Sequence, residues 1–233
     1  MASHLIDGRT VTLPVQVRQA AVCTASYAVR ADAARAVLAY TGVEVAEVLP
    51  GKAVCTLVFV DYGDSDLGAY HEFGMTFLVR APGGGQPGAF VHWLPVDQRF
   101  TLAAGRGIWG FPKELAEVEL RMSSPYKRCI VRKDGRLVLD LLIKPGLPVP
   151  ARTPVTPLTA YTHLDGITRR IPATMRAGGS RIRPGGALIR LGNHPVAKEL
   201  SELGLPKRAL LTSYSARVAM SFEAAGRWSG EPA

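Results

Sequence analysis

The stretch KRCIVRKDGRLVLDLLIK (127–144) decides the fold class. Two runs rich in β-branched and apolar residues, KRCIVRK (127–133) and RLVLDLLIK (136–144), are joined at KDGR by a two-residue Asp-Gly, the strongest short hairpin signal. Outward from this hairpin the same composition, with partial alternation, recurs in AVCTLVFVDY (53–62), EFGMTFLVRA (72–81), GAFVHWLPV (88–96), EVELRM (117–122), GALIRL (186–191) and RALLTSYSARVAMSFEAA (208–225). Helical spacing is scarcer. RADAARAVLAYTG (30–42) opens near Asp32 and closes on Gly42; NHPVAKELSELGLP (193–206) has Pro195 in its first turn and stops at Gly204. His194 is placed to cap or buttress that second helix. The pattern predicts an α+β chain that is mainly antiparallel β, a barrel or sandwich and not alternating βαβ units.

The chain has 233 residues, 47 % apolar and 20 % charged, which fits a globular protein with ample core and excludes a disordered one. No apolar run approaches the roughly 20 residues of a membrane span, and the first residues read as no secretion signal, so neither a membrane nor export is expected. Gly and Pro punctuate turns at APGGGQPG (81–88), KPGLPVPARTP (144–154) and AGGSRIRPGG (177–186). The middle cluster is the best candidate boundary, but the segments on either side look too small to fold alone, so a single domain over 1–233 is expected. Cys23, Cys55 and Cys129 are far apart, odd in number and without CxxC; they read as small core residues of a cytoplasmic protein. The five histidines (4, 71, 92, 163, 194) form no pair at metal-ligand spacing, and no metal is expected.

Net charge is +9, with 28 Lys and Arg against 19 Asp and Glu. The densest basic segment, ITRRIPATMRAGGSRIRPGG (167–186), carries arginines without an aromatic. It reads as a solvated face or an arginine-rich loop near an oligomer contact; an anionic-substrate pocket is a second reading, and nucleic acid a remote third.

One segment carries chemistry. In GRGIWGFPKELAEVEL (105–120), Trp109, Phe111 and Pro112 lead directly into Lys113. Burial disfavours an ammonium, and a neutral amine can attack a ketone to form a Schiff base. A solvent-facing lysine after an aromatic anchor is the plainer reading of the same residues.

GFPKELA, with the GR that precedes it, resembles the active-site segment of the acetoacetate decarboxylase family. DLGAYHE (66–72) resembles the family's LGxYxE segment. GGALIRLGNHPVAKELSELGLP followed by LLTSYSA is a looser match, and together the three span about residues 15–225 in order. The resemblance implies a cone-like antiparallel β-barrel with a few flanking helices and an interior lysine. It also implies a lyase acting on a small oxo-acid substrate without a cofactor, through a covalent imine, and a homo-oligomer. By motif position Lys113 is the Schiff-base lysine and Glu72 handles protons. Arg106 is a partner for a substrate carboxylate or for Glu72, and Arg18 falls near an early pocket arginine. Trp109, Phe111 and Met75 are further substrate-binding candidates.

The chain departs from that pattern. Decarboxylating members read PKK, and here the second position is Glu114; a carboxylate close to Lys113 would favour the ammonium. A family glutamate upstream of Gly68 falls on Leu57, with Asp61 the nearest acid. Relatives that keep the lysine without decarboxylating run aldol, dehydration or cyclisation chemistry on 2-oxo acids, where Tyr214 is the candidate proton donor. Decarboxylation of a 3-oxo acid is the leading expectation, a 2-oxo-acid aldolase-dehydratase the alternative, and a non-catalytic ligand-binding barrel the third. Ala- and Arg-rich usage hints at a GC-rich bacterial genome and secondary metabolism.

Overall fold

A computed structural model describes residues 2–80, 86–123, 125–149 and 154–227. Seven strands form a closed ring: β1 (Val15–Arg30), β2 (Lys52–Ser65), β3 (Tyr70–Arg80), β4 (Pro87–Val96), β5 (Thr156–Leu164), β6 (Ile167–Pro184) and β7 (Leu211–Phe222). The order is β3-β2-β1-β7-β6-β5-β4, and β4 pairs back onto β3. Six of the seven contacts are antiparallel; β4 and β5 are parallel. The mainly antiparallel α+β expectation holds, and where a barrel was expected the architecture is this seven-stranded ring.

A second, four-stranded antiparallel sheet (Glu117–Arg121, Lys127–Lys133, Arg136–Ile143, Ala187–Leu191) supplies one side of the first core. Cys23, Tyr27, Leu57, Phe73 and Phe77 of the ring pack there with Cys129, Leu139 and Leu141 of that sheet, and with Leu38 and Leu200 of helices α1 (Ala31–Leu38) and α3 (Pro195–Glu202). A second core, including Val15, Val17, Val60, Val91, Trp109 and Ile171, belongs to the ring's other face. Strand β2 is thus apolar on both faces, with Cys55, Leu57 and Phe59 in the first core and Val58, Val60 and Tyr62 in the second, which is why AVCTLVFVDY reads as a nearly continuous apolar run. Each fully buried large side chain contributes about 1.5–3 kcal/mol.

The Asp-Gly hairpin forms as expected. Asp134 and Gly135 have φ of 49° and 70°, and Lys133 faces Arg136. Both central residues of a type I′ turn need positive φ, which Asp and Gly tolerate best. Asp7-Gly8 and Asp165-Gly166 repeat the device. The expected helices are shorter, 31–38 and 195–202, and His194 caps the latter through Nδ1, which accepts from the Val196 amide at 3.2 Å. The arginine-rich segment is not a loop but the 18-residue strand β6, and Arg170, Arg176, Arg181 and Arg183 are exposed on it, in keeping with the solvated-face reading. Unexpected elements are β1, β5, and a short helix α2 (Arg99–Ala104) that runs into a π-helical turn, Gly105–Trp109. The Gly-rich turn at 81–88 lies largely outside the described residues, as does part of 144–154. The three cysteines are free and buried. Among the described residues no helix is long and apolar enough to cross a membrane.

Candidate active site

Lys113 is placed by a change of direction that its own sequence encodes. The side chain of Gln98 caps α2 by accepting from the Thr101 amide at 2.9 Å. The π-helical turn follows and ends on Gly110, whose φ of 69° is left-handed. Phe111 and Pro112 then lead into a three-residue strand, Lys113–Leu115, parallel to β4 with Lys113 opposite Leu94. Gly105 makes room for the lysine: a Cβ there would lie 2.6 Å from Lys113 Cδ. The glycine of the GR motif therefore has a steric reason.

Lys113 is 3 % exposed. Its Nζ lies 2.8 Å from Glu72 Oε2, donates to Thr101 Oγ1 at 2.9 Å, and sits 4.9 Å from the centre of the Tyr70 ring. Glu72 Oε1 accepts from the Tyr62 hydroxyl at 3.0 Å, and Tyr62 stacks on Tyr70 at 4.2 Å. Burial, and next the charge of Glu72, push both phenols well above their ordinary value, so they remain proton donors at neutral pH. The pair carries no net charge. A proton passed from Nζ to Oε2 leaves a neutral amine beside a neutral acid, the two species that imine formation requires.

These groups sit at one end of a cavity of ≈ 340 Å³. Alternation along β2 and β3 sorts the side chains. Thr56, Val58, Val60, Glu72 and Thr76 line the cavity, whereas Leu57, Phe59, Phe73 and Phe77 enter the first core.

The structure brings Lys113, Glu72, Trp109 and Phe111 together on the cavity wall. It does not bring the other candidates there. Met75 is fully buried in the first core, on the opposite face of β3 from Glu72. Tyr214 faces Cys23 and has Lys127 Nζ 4.6 Å from its ring centre. Irregular pairing between Ser215 and Met220 changes the alternation of β7, so Met220 and Phe222 line the cavity and Tyr214 does not. Arg18 is exposed and ion-paired to Asp64 at 2.7 Å and to Asp66. Arg106 is exposed, and its guanidinium donates to the Lys113 carbonyl at 3.3 Å, not to Glu72. It braces the lysine's backbone. Asp61 lies 3.7 Å from His71, and Leu57 is core.

Glu114 points away from the cavity, one residue out of phase with Lys113. It accepts from Trp93 Nε1 at 3.2 Å and pairs with Lys133. Burial opposes its ionisation, but those two partners outweigh it and hold the carboxyl below its usual range. Sequence reasoning missed Tyr62 and Thr101. Tyr62 carried a signal, since it faces the motif's Tyr70 across the β2–β3 register; Thr101 sits on a helix the sequence did not announce.

Residues 7–225 match the family model described as acetoacetate decarboxylase. A curated acetoacetate decarboxylase of Acidiphilium cryptum is 40 % identical over 65 residues, 28 % of this chain, so the match spans about a quarter (26 %) of that relative's length. The crystal structure of acetoacetate decarboxylase from Legionella pneumophila superposes with a TM-score of 0.71 at 20 % identity, covering 95 % of this chain and 91 % of the other. The enduracididine biosynthesis enzyme MppR complexed with pyruvate gives 0.71 at 15 % identity, covering 94 % and 92 %. At these identities the two structures speak for the fold alone.

Proposed function

Since the chain belongs to the acetoacetate decarboxylase family, we propose that it is a lyase that decarboxylates a 3-oxo acid through an imine on Lys113, without a cofactor. The observation that carries this reading is the buried Lys113–Glu72 pair at the end of a cavity that holds no other cation among its described lining residues.

The steps follow from that pair. Glu72 takes a proton from Lys113, and the neutral amine adds to the 3-oxo carbon. Glu72 returns the proton as the carbinolamine loses water, leaving a cationic iminium. The bond to the carboxylate breaks, its electron pair flows into the iminium, and carbon dioxide leaves from a neutral enamine. One proton drawn from water, delivered by Glu72 to the enamine carbon, gives the iminium of the shortened ketone, and hydrolysis frees it. The Tyr62 hydroxyl holds Glu72 in place throughout.

The lining also favours decarboxylation over chemistry on a 2-oxo acid. A 2-oxo acid keeps its carboxylate through every step and would need a permanent partner in an apolar site. A 3-oxo acid sheds its charge as neutral carbon dioxide. The test is incubation with a 3-oxo acid, with ketone and carbon dioxide measured together. Equal amounts of both from wild type, with Lys113→Ala giving no more than the spontaneous rate without protein, support the reading; ketone formation undiminished in that variant contradicts it.

A further inference from the structure

The cavity extends well past the lysine. From Glu72 to Thr76 the lining advances four residues along β3, roughly 13 Å at about 3.3 Å per residue. At the Glu72 end the lining residues Tyr62, Leu67 and Tyr70 are buried. At the other end the lining residues Ala89 and Leu158 are exposed, so that end is the mouth. Between the ends the wall is Val22, Val58, Val60, Val91, Met175 and Met220.

The few polar groups near the mouth are already occupied. Thr24 bonds Ser213 at 2.7 Å, Thr56 bonds Ser26 at 2.9 Å, and Thr76 donates to the Thr56 carbonyl at 3.2 Å. No arginine or histidine lines the cavity among the described residues. A volume of ≈ 340 Å³ falls within the range of pockets that enclose drug-sized ligands, about 300–1,000 Å³. A four-carbon acid at Lys113 would leave the valine- and methionine-lined length unfilled.

Resting on the imine reading above, we propose that the substrate is a 3-oxo acid with a medium-length apolar substituent, an alkyl or arylalkyl chain that lies along Val58, Val91 and Met220 toward Ala89. The chain fills the wall's apolar length and keeps water from the iminium until carbon dioxide has left.

The test compares acetoacetate, 3-oxohexanoate and 3-oxooctanoate, read as the concentration that half-saturates borohydride trapping on the wild-type protein. Each buried methylene is worth about three- to fourfold, so 3-oxooctanoate is expected to trap at a concentration on the order of 100-fold lower than acetoacetate. Val58→Phe, which narrows the middle of the wall, is expected to bring the two acids closer together. Equal trapping of all three acids within threefold would overturn the proposal while leaving the imine intact. If no acid is trapped, the imine reading fails, and a second measurement decides this proposal by itself: the shift in Tm of the Lys113→Ala variant with 2-octanone against 2-butanone. A larger shift with 2-octanone supports an apolar-chain site, and equal shifts overturn it.

Discussion

Lys113 Nζ and Glu72 Oε2 lie 2.8 Å apart although their strands do not pair with each other. β4 stands between them, with Leu94 opposite Lys113 and Val96 opposite Glu72. The two charges are presented from either side of one strand, both less than a tenth exposed. Removing one partner of a buried pair typically costs about 3–5 kcal/mol, because the other is left unpaired. Lys113→Met is therefore expected to lose that much unfolding free energy in urea. The double variant Lys113→Met/Glu72→Gln is expected to recover most of it, and a double variant no more stable than the single one would argue against the pairing.

Gly105→Ala tests placement without touching a charge. The added Cβ meets Lys113 Cδ and Cε at 2.6 and 2.7 Å, so the flexible lysine stem must move. The expected outcome is at least a tenfold fall in kcat/KM, about 1.4 kcal/mol, with Tm within a few degrees of wild type. Unchanged kcat/KM would mean that the stem position is immaterial.

Glu114→Lys restores two adjacent lysines in sequence but not in space. Position 114 faces Trp93 and Lys133, away from the cavity. The variant is expected to keep kcat within about threefold while losing roughly 1 kcal/mol of stability, since the new cation meets Lys133. A tenfold gain in kcat would show that the side chain at 114 acts on Lys113 after all.

Tyr62 and Tyr70 predict the alkaline limit of stability. Burial, then the charge of Glu72, raises both phenols in the folded protein, while in the unfolded chain they ionise near pH ~10. Above that pH the unfolded state binds fewer protons than the folded one, so stability falls as pH rises. It is full below pH ~10 and lost progressively above it. Urea titrations from pH 9 to 11 are expected to show this loss, with a shallower slope in Tyr62→Phe; the same slope in both proteins would contradict it.

How far these relationships were legible in the sequence varied with the residues. The 127–144 hairpin was readable because Asp134-Gly135 is a local device and its strands carry β-branched residues on the core face. β1 was not, because VQVRQAAVCTASYAVR is rich in alanine and its alternation is broken where pairing shifts near Gln19. β6 is not legible as a strand because Pro172, Gly178 and Gly179 punctuate it, and its pairing with β5 and β7 overrides those signals. In the site, Lys113 and Glu72 came from motif position, and Trp109 and Phe111 from their aromatic character beside the lysine. Tyr214 and Met75 lie off the cavity wall because the facing of a strand residue depends on parity, which an irregularity or one residue of phase reverses. The surface pairing of Arg18 was not legible because its carboxylate partners, Asp64 and Asp66, lie on a neighbouring strand and in the turn after it.

The central claim is a covalent one, and mass measurement tests it most directly. Wild type and Lys113→Ala would each be incubated with 3-oxooctanoate, reduced with borohydride, digested and mapped. The account predicts one adduct on wild type, on the peptide carrying Lys113 and at that residue, and none on the variant. An adduct at another lysine, or one that persists in Lys113→Ala, would contradict it.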